Sequence, residues 1–228
     1  MKVITWNMGY WLHRSQHDEA WAYLREALRP DLALLQETSR AKTLDLEAMV
    51  FHEIHPGWGT AIYSRDQPLN EMQYEGKYPG RVVAATASLL NGEMLFLASI
   101  HAPIIENRVF PHLSNIVDEV DRMAPGRTAI LGGDLNSARL AEDVWPGYGH
   151  GPFFEKMDRS RYVNCCWHIH GRELQTYFRP RSKHPFQDDH LFITRELLPR
   201  LKSCYVIENT LTRRVSDHIP VMIEVRAW

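Results

Sequence analysis

Nine short apolar runs punctuate this chain: Lys2–Trp6, Leu32–Gln36, Gly59–Ser64, Val82–Leu90, Glu93–Ile100, Thr128–Leu131, His190–Thr194, Ser203–Ile207 and Ile219–Val225. Each is the length of a buried strand and too short for an amphipathic helix. Two of them, Val82–Leu90 and Glu93–Ile100, flank Asn91-Gly92, a dipeptide suited to the positive φ angles of a tight hairpin. Antiparallel pairing is therefore expected there, which rules out a doubly wound parallel sheet. Helices are fewer. Ala20, Trp21, Leu24, Ala27 and Leu28 fall on one face before Pro30, and Phe110, Leu113, Ile116, Val117 and Val120 repeat that pattern before Pro125-Gly126. A fainter third helix is expected from Lys42 to Val50. From Ala138 to Leu174 the pattern lapses, and Gly147, Gly149 and Gly151 suggest an irregular loop. The expectation is an α/β fold built on mixed sheets.

No repeat, low-complexity tract or linker divides the 228 residues, so one domain spanning 1–228 is predicted. A net charge of −2 argues against a protein that coats nucleic acid through an overall basic surface. It does not exclude a nuclease, because metal-binding carboxylates lower the formal charge while a bound ion offsets them locally. Cys165, Cys166 and Cys204 are odd in number and irregularly spaced, so no disulfide framework and a reducing compartment are expected. The start, Met1-Lys2-Val3-Ile4-Thr5-Trp6-Asn7, lacks the charge and long apolar stretch of a signal peptide, and no run reaches transmembrane length. A cytoplasmic protein without membrane insertion or an obligate protein partner is predicted.

Polar residues sit where the apolar runs stop. Asn7, Glu37, His101 and the pair Asp134 and Asn136 lie just past the ends of four runs, whereas Asp189 and Asp217-His218 immediately precede two others. If those last two strands run antiparallel to the rest, six separate segments deliver their polar groups to one rim. Oxygen donors from Glu37, Asp134 and Asp217, with amide oxygens from Asn7 or Asn136, suit magnesium or manganese and not a thiolate zinc site. Such a cation leaves room for a substrate phosphate. His218 can carry a proton near neutral pH, with Asp189 fixing its tautomer. Ser216-Asp217-His218 is not a serine-hydrolase relay, because sequence neighbours cannot face one another in that way.

Seven segments carry a further signal: Thr5-Trp6-Asn7-Met8-Gly9, Leu35-Gln36-Glu37-Thr38, Gly59-Thr60-Ala61-Ile62, His101-Ala102-Pro103, Gly133-Asp134-Leu135-Asn136, Asp189-His190-Leu191-Phe192 and Ser216-Asp217-His218. In this order they resemble the endonuclease/exonuclease/phosphatase family, which includes abasic-site endonucleases, deoxyribonuclease-I-like nucleases, inositol polyphosphate phosphatases and neutral sphingomyelinases. The resemblance implies a four-layer sandwich of two packed mixed sheets flanked by helices. It also implies in-line attack of water on phosphorus. Glu37 would be the principal metal ligand, with Asn7 and Asp217 close to the ion. Asp134 would position the attacking water, Asn136 and Asn7 would bind substrate, and His101 would contact a phosphoryl oxygen. His218, oriented by Asp189, would act as general base or transition-state stabiliser. The expected activity is a Mg2+- or Mn2+-dependent phosphodiesterase acting on nucleic acid. A phosphatase, a lipid phosphodiesterase and a non-catalytic phosphate-binding relative are the alternatives.

Gly9 departs from the pattern, since several nuclease members carry an acidic or polar residue there, which weakens any case for a second metal. Only 21 residues separate Glu37 from Gly59, too few for a large DNA-inserting element. Gly132-Gly133 reads either as an ordinary turn or as a place where backbone approaches a ligand. Arg159 to Arg214 holds 11 Lys+Arg against five Asp+Glu, and the remainder 15 against 23. Arg179 and Arg181 within it form either a solvated loop or a lip that grips substrate phosphates. Trp11, Trp58 and Tyr177 offer stacking platforms, with ordinary packing as the plainer reading. Cys166, His168 and His170 would share one face if Asn164–His170 were a strand, but they match no standard zinc spacing.

Overall fold

The computed structural model describes residues 1–41, 48–89, 92–106, 110–178 and 184–226. The strands are β1 (Lys2–Asn7), β2 (Leu32–Thr38), β3 (Met49–His55), β4 (Trp58–Ser64), β5 (Leu69–Met72), β6 (Val82–Ser88), β7 (Met94–His101), β8 (Ala129–Asp134), β9 (Tyr162–Asn164), β10 (Asp189–Thr194), β11 (Leu201–Val206) and β12 (Val221–Val225). The α-helices are α1 (Tyr10–His13), α2 (His17–Ala22), α3 (His112–Met123), α4 (Ala141–Val144), α5 (His150–Arg159), α6 (Cys165–His170) and α7 (Thr210–Val215). A wider π turn, Tyr23–Leu28, extends α2.

Two six-stranded sheets result, ordered β11-β12-β1-β2-β4-β3 and β5-β6-β7-β8-β10-β9. Each contains one parallel pair, β1 with β2 and β7 with β8; the other pairs are antiparallel. Period-two alternation divides the side chains between three cores. Val3, Leu34, Val83, Leu97, Ile130, Leu191 and Ile223 meet between the sheets. From the opposite face of the first sheet, Ile4, Trp6, Ala33 and Leu35 pack with Ala20, Trp21 and Leu24 of the α2 segment. On the outer face of the second, Phe96, Ala98 and Leu131 meet Leu113, Ile116, Val117 and Val120 of α3 and Phe153, Phe154 and Met157 of α5. The layers run helix, sheet, sheet, helix. This is the expected four-layer sandwich.

All nine apolar runs coincide with strands, although β12 begins only at Val221. The hairpin is present too: Val82 pairs with Ile100 and Ser88 with Met94. Gly92 donates to Leu89 O at φ +83°; Asn91 lies outside the described residues. Other expectations need correction. The third helix fails at its end, because Met49 and Val50 belong to β3, while 42–47 lie outside the described residues. Asn164–His170 is not a strand. Asn164 caps α6 by accepting from Trp167 N at 3.0 Å, which removes the face that Cys166, His168 and His170 would have shared. Nor does Gly132-Gly133 open a path to a ligand. A Cβ on Gly133, at φ +149°, would lie 1.8 Å from Ile100 O, and one on Gly132 would meet Leu191 and His190. The glycines are there because neighbouring strands leave no room for a side chain.

Candidate active site

The antiparallel placement of β10 and β12 decides where the polar groups meet. β10 runs against β8, pairing Asp189 with Asp134, while β7 runs with β8, pairing His101 with Asp134. β12 runs against β1, so the residues preceding it arrive beside Asn7. A cross-sheet network of buried polar groups lies behind the rim. Gln36 donates to Ser99 Oγ at 2.9 Å, and Ser99 donates to Leu35 O at 3.1 Å. It ties β2 to β7 beneath Glu37 and His101.

Asp134 is the hub. Its Oδ2 accepts from Asn7 Nδ2 and its Oδ1 from the Asn136 backbone N–H, both at 2.9 Å. Around that same Oδ2, His101 Nε2 and His218 Nε2 each stand at 3.8 Å, and His101 Nε2 is 3.7 Å from Glu37 Oε1. These separations exceed hydrogen-bond length, so both ring nitrogens are left to engage a third group. His218 Nδ1 is 2.8 Å from Asp189 Oδ2. Its backbone is fixed as well: Ser216 Oγ accepts from His218 N at 3.0 Å and donates to Asn7 O at 2.8 Å. Trp6 Nε1 donates to His218 O at 3.2 Å. Two site residues have left-handed backbone, Glu37 at φ 45° and Asn136 at φ 48°. For Glu37 this accompanies the β-bulge between Leu35 and Thr38; Asn136 is further held by donating Nδ2 to Ala102 O at 2.9 Å.

The electrostatics follow from burial among acids. Burial and then Asp134 push Glu37 up to about 7, opposed by a hydrogen bond from Asn7 and by His218. For His218, burial acts downward, but Asp189 and Asp134 outweigh it and raise the pKa well above 6.5. Burial holds His101 down to about 4 despite Asp134. Carboxylates gathered this closely call for a cation. Oxygen donors from Glu37, Asp134 and Asp217 fit a hard divalent ion. Asn7 presents its nitrogen to Asp134, while its Oδ1 accepts from Gly9 N at 3.0 Å; in this orientation it positions Asp134. Single ligand atoms of Asp134, Asp189 and His218 also lie within 4.8 Å of one another, near enough to hold an ion. Asp189 is spoken for by His218, and Glu37 and Asp217 are the more accessible acids.

A cavity of about 380 Å³ opens over these groups, lined by Glu37, His101, Asp134, Asn136, Asp217 and His218. Of its other walls, Trp11 and Tyr177 stood out in the sequence and the rest did not. Trp11, Leu12 and Ile104 line it while 69%, 60% and 60% exposed, so for Trp11 the packing reading is wrong. Tyr177 packs its ring on His218 at 4.8 Å, and Trp58 lies 6.4 Å from His101. Asp188 also lines the cavity and is pushed up to about 8 by burial and Asp134. Its place next to Asp189 was the available signal. For Arg81, whose guanidinium feels both Asp134 and Glu37, it was the predicted hairpin, which sets Arg81 opposite His101. Arg179 and Arg181 lie outside the described residues, so the proposed phosphate lip has no geometry here.

The sequence pattern of the Endonuclease/Exonuclease/phosphatase family matches residues 4–218. No curated protein sequence matches the chain. Among solved structures, an AP endonuclease from Leishmania major superposes with a TM-score of 0.77 at 19% identity, covering 100% of this chain and 88% of that one. An AP endonuclease from Archaeoglobus fulgidus gives 0.74 at 18%, covering 100% of both. A 3' phosphatase from Neisseria, bound to product DNA hairpin, gives 0.72 at 19% with the same full coverage. At these identities the likeness is one of fold.

Proposed function

The chain belongs to the endonuclease/exonuclease/phosphatase family, and from that premise we propose that it is a divalent-metal-dependent phosphodiesterase acting on nucleic acid. The observation that carries this reading is the convergence of His101 and His218 on one Asp134 oxygen beside Glu37. That arrangement can surround a phosphoryl group with donors on one side and acids on the other. Glu37 and Asp217 would hold Mg2+ or Mn2+, with Asn7 close by. When bound, the ion supplies charge neutralisation at the phosphoryl and leaving oxygens.

The protein groups do the rest. Asp134, fixed by Asn7 and Asn136, orients the water and takes its proton as the water oxygen bonds to phosphorus and the ester P–O bond opposite breaks. His218, kept protonated by Asp189 and Asp134, serves best as a cationic transition-state stabiliser. Its raised pKa favours that role over the general base. Asn136 and His101 donate to the other phosphoryl oxygens. DNA-directed activities named for the structural relatives support a nucleic-acid substrate.

The test is a hydrolysis panel with metal and with chelator. It spans abasic-site duplex, single- and double-stranded DNA, RNA, inositol phosphates and sphingomyelin vesicles. Metal-dependent cleavage is expected, with a loss of at least about 100-fold in Asp134→Ala or His218→Ala. Wild-type rates in both variants refute the site. A lipid phosphodiester is the second reading, favoured by the exposed Trp11, Leu12 and Ile104 at the cavity mouth. Turnover of sphingomyelin vesicles with inert oligonucleotides would establish it.

A further inference from the structure

One side chain of the cavity has no task in the chemistry above. Asp188 stands in the same wall as Asp134, Asn136 and His218. Its backbone is fully committed: the N–H donates to Thr176 Oγ1 at 3.0 Å, and the carbonyl accepts from Leu135 N at 2.8 Å. The main chain of Asp188 is therefore fixed at the cavity wall. Among the described residues no hydrogen bond or ion pair reaches it.

Asp188 is half-buried, so its unpartnered carboxyl is open to whatever fills the cavity. Ile104, Ala141 and Phe186 in the same lining carry no side-chain donor. In either protonation state the carboxyl keeps an acceptor oxygen. What it suits is an uncharged donor brought by the substrate.

Resting on the phosphodiesterase reading, we propose that Asp188 is a specificity-determining residue: its carboxyl accepts a hydrogen bond from a hydroxyl or N–H group that the substrate carries beside the scissile phosphoester. A sugar hydroxyl or a base N–H meets that description; a plain alkyl or aryl ester does not. A site built to hydrogen-bond such a group discriminates strongly against analogues that lack it.

Two chromogenic diesters with the same leaving group provide the test. Thymidine 5'-(p-nitrophenyl phosphate) carries a sugar hydroxyl and a base N–H, and bis(p-nitrophenyl) phosphate carries neither. With metal present, Asp188→Leu is expected to lower kcat/KM about tenfold for the nucleoside ester and to change the aryl ester by less than about twofold. Asp188→Asn keeps an acceptor oxygen and is expected to retain a ratio near wild type. The ratio of the two substrates in one preparation does not depend on the fraction folded. An unchanged ratio in Asp188→Leu overturns the assignment while leaving the phosphodiesterase reading intact. A wild-type enzyme that cleaves no phosphodiester in the wider panel removes both.

Discussion

Asp189 and His218 lie 29 residues apart along the chain, and their side chains meet with Asp189 Oδ2 2.8 Å from His218 Nδ1. The pair fixes the imidazole so that Nε2 faces Asp134. Burial works against the charge on His218, and Asp189 and Asp134 overcome it. Because the folded pKa lies above the unfolded value of 6.5, the linked stability is fully present below about 6.5 and fades as pH rises through the folded value. Asp189→Asn is expected to bring the His218 titration, followed by NMR in metal-free protein, back toward or below its ordinary range. Phosphodiester hydrolysis should fall by about 100-fold or more. An unmoved titration would show that the pair is not coupled.

His17 gives the opposite pH dependence. It is buried, accepts from Ser39 N at Nε2 (3.1 Å), and packs edge-on against Tyr10 at 4.8 Å. Protonating Nε2 would oppose the Ser39 N–H, and burial lowers the pKa to about 4. The unfolded chain therefore takes up a proton that the folded one refuses. Stability should decline as pH falls from about 6.5 to about 4, by roughly 3 kcal/mol from this residue. Chemical denaturation across that range, with His17→Gln showing a shallower decline, checks the assignment.

Gly133 should tolerate no side chain. A Cβ there would fall 1.8 Å from Ile100 O, between β8 and β7. Gly133→Ala is expected to destabilise the fold by at least about 3 kcal/mol, as overpacking and an unfavourable φ act together. A thermal midpoint equal to wild type would mean that β7 and β8 pair less closely than described.

The three thiols should be silent in the native protein. Cys165, Cys166 and Cys204 are buried, burial raises the Cys165 thiol, and Cys166 and Cys204 share a hydrogen bond at 2.7 Å. Alkylation at neutral pH, followed by mass spectrometry, is expected to label none of them until denaturant is added. Rapid labelling of any one would place that thiol at the surface.

Much of the candidate site was legible because a buried strand must be apolar until it ends. Asn7, Glu37, His101 and Asp134 each break such a run at the place where backbone leaves the sheet. What escaped notice lacked that contrast. β3 alternates toward Glu53 and His55, β5 and β9 are short edge strands, and short edges carry little hydrophobic pattern. α6 spans six residues and begins at a side-chain cap, so its polar residues mimic a strand's alternation. Trp11 was misread because an aromatic residue most often packs inward. Arg81 joins the site through the β6–β7 hairpin, which sets it opposite His101, and a basic residue just before an apolar run carries no contrast of its own.

The bond from Trp6 Nε1 to His218 O joins residues 212 positions apart, and β12 closes the first sheet only by docking on β1. Contacts of such separation form slowly, because a long stretch of chain must be ordered before they return any free energy. A nascent chain therefore exposes Asn7, Glu37, His101 and Asp134 well before His218 emerges to join them. Completion of the rim is a late event in synthesis, timed by the capture of β12 and not by any local element.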